Sequence, residues 1–103
     1  MPKQSNIDIA QMRENATNAA ALLKALSNEN RLLILCYLGE QEMSVSQLNT
    51  EIDLSQSSLS QHLARLRQDG LVKTRRESQT IYYSIADSNV VSVITHLQQT
   101  FCP

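Results

Sequence analysis

Glycine, proline and cysteine are scarce in this chain, with two of each among 103 residues. So few backbone breakers fit an ordered, helix-rich domain rather than a low-complexity one. A hydrophobic share of 42% with 18% charged residues argues against disorder in the same direction. Two cysteines, Cys36 and Cys102, make no disulfide framework and have no Cys-x-x-Cys spacing. In a reducing compartment they rest as thiols. No apolar run approaches the roughly 18–20 residues of a membrane span. The opening MPKQSNIDIAQM has neither an apolar core nor a small-residue cleavage site. The expectation is a cytoplasmic protein without a secretory signal. A phosphate-binding glycine loop, His-Glu-x-x-His and Gly-x-Ser-x-Gly are also missing, so no enzyme and no cofactor are expected.

What is present suits one domain spanning residues 1–103, small enough that a dimer would help it bury more surface. The net charge of −1 looks wrong for a nucleic-acid binder, but its distribution is uneven. Residues 1–54 sum to −3, residues 55–85 to +3 and residues 86–103 to −1. The positive third holds Arg65, Arg67, Lys73, Arg75 and Arg76. It reads either as an ordinary solvated face or as an electrostatic footprint.

Hydrophobic spacing divides the chain into elements. Ile9, Met12, Ala16, Ala19 and Leu23 stripe a helix over 9–26. Ser27 or Asn28 can cap a second helix through Arg31–Leu38, ending at Gly39. Its RLLILCYL is apolar nearly all round and predicts a central, buried helix. Ser44 with Gln47 three residues on predicts a capping box and a third helix. Asp53-Leu54 is a tight connection. Ser55 then caps a fourth helix with Leu59, Leu63 and Leu66 inward, closed by Asp69-Gly70. Leu71–Arg76 and Thr80–Ile85 are rich in Val, Thr, Ile and Tyr and predict two strands. Glu77-Ser78-Gln79 joins them without an Asn-Gly or Asp-Gly signal, which leaves the turn type open. Asp87 or Ser88 starts a last helix with Val90, Ile94, Leu97 and Phe101 on one face.

The order α-α-α-α-β-β-α, mainly α with a small β-hairpin, is the winged helix-turn-helix pattern. With its three leucines inward, the fourth helix shows Gln56, Ser57, Ser58, Gln61, His62 and Arg65 on its other face. A helix entering the major groove needs small residues for close approach and donors for base edges. Gln pairs with adenine, Arg with guanine, and Ser with either. The helix N-terminus aims amide donors at phosphate. Arg75 and Arg76 precede the wing tip, and Gln79 and Thr80 follow it. Contacts from there would position the protein on the duplex and make binding salt-dependent. His62 reads either as a surface or capping residue or as part of that face.

At ALLKALSNENRLLILCYL (21–38), LSQSSLSQHLARLRQDGLV (54–72) and RRESQTIYYSI (75–85) the sequence resembles the ArsR/SmtB family of bacterial regulators. The likeness runs from residue 16 onward, and Ser57 to Val72 is its most specific part. The resemblance implies a homodimer built from the first and last helices, 9–26 and 87–101. Each protomer would present residues 55–67 to one half of an inverted-repeat operator in double-stranded DNA. It also implies that a chemical signal alters binding.

Metal-sensing branches carry a Cys-x-Cys pair before the recognition helix, and SVSQLNTEID (44–53) has none. Other branches take Asp and His from the last helix, where this chain has Asp87, Asn89 and a lone His96. No metal site of four good ligands assembles, although a mixed site of Cys36, Cys102 and a histidine stays open. The cysteine placement, in ILCYL and QTFCP, is similar to the HlyU/BigR/SqrR-type branch. Members of that branch link the two thiols in response to reactive sulfur species or oxidants. Some repress sulfide-detoxification genes, and others compete with a nucleoid silencing protein. Spacing alone equally permits a structural Cys36, because Cys is among the most buried residue types. Three readings therefore stand: a thiol-switched regulator, a regulator with a metal or small-molecule effector, and a winged-helix protein-interaction module without DNA binding.

Overall fold

The computed structural model describes residues 8–101. Its elements are α1 (Ile9–Leu26), α2 (Glu29–Leu38), β1 (Met43–Ser44), α3 (Val45–Glu51), α4 (Gln56–Gln68), β2 (Val72–Glu77), β3 (Thr80–Ile85) and α5 (Ser88–Phe101). Five helices and a small antiparallel sheet make a winged helix-turn-helix domain.

Side-chain caps set most helix starts. The Asn28 carboxamide oxygen accepts from the amides of Asn30 and Arg31, which decides the start of α2 in favour of Asn28. Ser44 and Gln47 form the expected reciprocal capping box on α3. The Ser55 hydroxyl accepts from the Ser58 amide at the head of α4. Each satisfies amide donors that a helix start leaves unpaired. Gly39 and Gly70, at φ +51° and +76°, close α2 and α4 in conformations that a Cβ disfavours. Arg31 Nε donates to the Ala25 carbonyl at 2.8 Å, tying the end of α1 to α2.

Ile34, Leu35 and Leu38 of α2, Leu48 of α3, Leu59, Leu63 and Leu66 of α4 and Ile94 of α5 are fully buried. Val72 and Ile85 join the same core from the sheet. Three expectations change here. The sheet has three strands in the order β1-β3-β2, because Met43 and Ser44 pair with Tyr83 and Tyr82. The second strand starts at Val72 and includes Glu77, leaving Ser78-Gln79 as a two-residue turn. Ser78 alone takes positive φ, at 58°. A positive φ at only the first central position is the type II′ pattern, normally filled by glycine.

The third change concerns what is not covered. On α2, Leu33 is exposed and Cys36 and Tyr37 are half-buried, so the helix is central but not enclosed. On α5, Val90 and Ile94 are buried and Leu97 is half-buried, but Phe101 is 76% exposed. On α1, only Ala25 and Leu26 are buried, while Ile9 is 76%, Met12 48% and Leu23 62% exposed. The helix projects from the body, giving extents of 52 × 31 × 21 Å and a radius of gyration of 15.8 Å. A compact chain of this length would have about 13 Å.

Candidate nucleic-acid interface

The three inward leucines of α4 are each 0% exposed, so the rotation of the helix is fixed. Its other face then follows from helical geometry. Gln56, Ser57, Gln61 and Arg65 are exposed, and Ser58 and His62 are half-buried at the edge of that face. Every predicted residue of the helix thus shares one polar surface without an acidic side chain until Asp69. Arg65 Nε donates to the Asp69 carboxylate at 2.9 Å, one turn on. This contact orients Arg65 toward the C-terminal end of the helix.

The hairpin follows strict alternation. Val72, Thr74 and Arg76 face one side, opposite Ile85, Tyr83 and Ile81 in register. Val72 and Ile85 lie in the core with the α4 leucines and Tyr83 packs on it, so this is the helix side of the sheet. Arg76 continues that side beyond the core and is exposed. It holds no ion pair among the described residues. Lys73, Arg75 and Glu77 point to the other side, opposite Ser84, Tyr82 and Thr80.

Arg75 there is held by two carboxylates and a ring. Its Nε and Nη2 donate to Glu42, the shorter bond being 2.6 Å, and Nη1 donates to Glu77 at 2.9 Å. Its guanidinium carbon lies 4.9 Å from the centre of the Tyr82 ring. The Arg75 hydrogen bonds hold the Glu42 carboxyl below its ordinary range, with smaller help from the charges of Arg75 and Lys73. The same bonds, to Glu42 first and Glu77 second, raise Arg75 further above its already high value. Sequence reading missed Glu42, because a contact across 33 residues leaves no local signal.

Gln79, at the wing tip, lines a cleft of about 470 Å³ between α3 and β3 with Val45, Ser46, Gln47, Thr80, Ile81 and Tyr82. No acidic residue lines it. Sequence reading missed Ser46, because the two-residue strand that brings α3 beside the wing is too short to show a period. Cys36 lines a separate shallow pocket of about 210 Å³ with Leu33, Tyr37 and Gln98 of α5. Cys102 lies outside the described residues. Among those residues no three His, Cys, Asp or Glu side chains gather closely enough to hold a metal ion. No helix of the described residues is long and apolar enough to cross a membrane.

A helix-turn-helix with a polar helix face and an arginine-bearing wing beside it defines a DNA-binding transcription regulator. Residues 28–74 match the family model described as bacterial regulatory protein, arsR family. The transcriptional activator HlyU of Vibrio cholerae is 46% identical over 100 residues, covering 97% of this chain and 93% of that protein. The structure of reduced HlyU from Vibrio cholerae N16961 superposes with a TM-score of 0.87 at 47% identity, covering 92% of this chain and all of that one. The structure of the transcriptional repressor BigR from Xylella fastidiosa gives 0.84 at 36% identity, over 94% of this chain and 99% of that one. The chain belongs to the ArsR family of winged-helix regulators. Relatives so similar are transcription regulators, one an activator and another a repressor, rather than enzymes.

Proposed function

We propose that this regulator works as a homodimer whose grip on an inverted-repeat operator is set by the chemistry of Cys36 and Cys102. One observation carries the thiol reading. Cys36 lines the shallow pocket it shares with Gln98 of α5, and Gln98 stands four residues before Cys102 in sequence. Cys36 is half-buried at the edge of the core, beside that pocket. A peroxide takes two hydrogens from the thiol pair to leave a disulfide with two waters, or with one water and an alcohol from an organic peroxide. A persulfide instead transfers sulfur to each thiol in turn, releasing its own thiol each time. One cysteine persulfide then attacks the inner sulfur of the other, expelling hydrogen sulfide and leaving a trisulfide. Bridging would fasten the end of α5 to α2.

The dimer is supported by the uncovered apolar residues of α1 and by Phe101 at the end of α5. Two recognition helices on a two-fold axis read two half-sites, with Gln56, Ser57, Ser58, Gln61, His62 and Arg65 toward bases and with Arg76 and Gln79 toward the backbone. On the regulated DNA such a dimer would compete with any protein coating the same segment, a nucleoid silencing protein included.

The test treats reduced protein separately with a persulfide and a peroxide and reads intact and peptide masses. The expected result is a Cys36–Cys102 linkage that carries added sulfur with persulfide only. Cys102→Ser should bind DNA normally when reduced and lose the response. A response that survives in Cys102→Ser defeats the dithiol mechanism. Stoichiometric zinc removable by a chelator would favour a metal effector instead.

A further inference from the structure

The two neighbouring arginines of the wing occupy opposite faces of the sheet. From this separation we infer that Arg75 is a positioning residue for the DNA-binding wing, clamping it to the turn after α2, while Arg76 makes the contact with the duplex. The inference rests on the reading of the wing as part of the DNA interface and names which of its arginines does which work.

Strand alternation places Arg76 with Val72 and Thr74 on the side that packs against α4. A duplex seated on the recognition helix lies against that same side at the wing tip. Arg75, one residue earlier, faces away from it. There the guanidinium bridges three parts of the chain. Glu42 belongs to the turn between α2 and β1, Glu77 to the end of β2, and Tyr82 to β3 directly across the ladder. Glu42 precedes Met43, which pairs with Tyr83, so the clamp spans the sheet from β1 over β3 to β2. The clamp lies just behind the two-residue turn, where Ser78 stands at positive φ. The fork of Arg75 suits this role. A planar guanidinium meets a carboxylate through two bonds at once and stacks on an aromatic face, and a lysine ammonium does neither as well.

Each role gives a different sign in one experiment. The salt dependence of duplex binding is measured for the wild-type protein and for Arg75→Gln, Arg75→Lys, Glu42→Gln and Arg76→Gln. A lost phosphate contact lowers the slope of log K against log salt by about one. The expected results are that slope loss for Arg76→Gln and an unchanged slope for Arg75→Gln. An exposed clamp of this kind is worth about a two- to fivefold drop in affinity when cut. Arg75→Lys should fall as far as Arg75→Gln, and Glu42→Gln should weaken binding by a similar factor. If Arg75 touched phosphate, Arg75→Gln would lose the slope, Arg75→Lys would keep most of the affinity, and Glu42→Gln would bind more tightly by releasing a cation. Any of those three results overturns the proposal. Amide hydrogen exchange without DNA separates this failure from failure of the DNA reading. If wild-type protein shows no salt-dependent duplex binding, the DNA reading fails. The clamp then stands only if residues 76–81 exchange faster in Arg75→Gln while α5 is unchanged, and it falls if they do not.

Discussion

At Gly70 the backbone stands at φ +76°, and a Cβ added there would meet no atom within 4 Å. Space does not explain the glycine, so its conformation must. An L-residue in this region costs about 1–2 kcal/mol, and less for Asn than for Ala. Gly70→Ala should therefore lower unfolding stability by about 1 kcal/mol, with Gly70→Asn losing less, as read from denaturant midpoints. Equal loss in both would mean that something other than φ holds the position. Leu63, in the middle of α4, is the opposite case. It is 0% exposed, and its truncation leaves a hole. Leu63→Ala should cost about 2–5 kcal/mol, and a loss under about 1 kcal/mol in the same assay would contradict the tight core. Both residues were legible in sequence, one as the stop after a periodic helix and the other as the middle of a leucine stripe. The partners of Arg75 were not. Side chains in a doublet look alike until strand register sends them to opposite faces.

Elements were legible in proportion to their length. The 13 residues of α4 carry a cap, a stripe and a stop, and each agrees with the others. The two residues of β1 carry no period, so the third strand and its approach to the wing went unseen. The α1 stripe was visible in sequence, but its exposure was not: among the described residues nothing covers Ile9, Met12 and Leu23 enough to bury them. The sheet also offers an acid test. Glu42 titrates in the folded protein below its ordinary 4.5, with the Arg75 hydrogen bond as the main cause. A lowered carboxylate value means the contact contributes fully above the unfolded value and is lost as pH falls through the folded one. The NMR signal of the Arg75 Nε–H should hold steady from neutral pH down to about 4.5 and shift only below it. A transition centred above that value would show that Glu42 is not the partner in solution.

The whole molecule shows an asymmetry that one chain does not resolve. The polar face of α4 is backed by buried leucines, while Ile9, Met12 and Leu23 of the longest helix, α1, stand exposed. Charge replacing Met12 and Leu23 should cost the isolated fold little, since both are already exposed. It should abolish a dimer that covers them. Light scattering should give twice 11.6 kDa for the unaltered chain and about half of that for the doubly charged variant. The proposed dimer would set a rule for the DNA. Two recognition helices held by one rigid interface meet half-sites on the same side of the duplex, about one helical turn of 10 base pairs apart. Inserting five base pairs between half-sites rotates one of them to the far side. Affinity should fall to that of a single half-site, and the monomeric variant should be indifferent to the insertion. Two helices that bind independently would treat both spacings alike, and that outcome would remove the dimer from the mechanism. A thiol bridge that changed the separation of the helices would act through this same rule. Its effect should be large on the full operator and small on an isolated half-site, which a binding assay of oxidised protein on both duplexes reads directly.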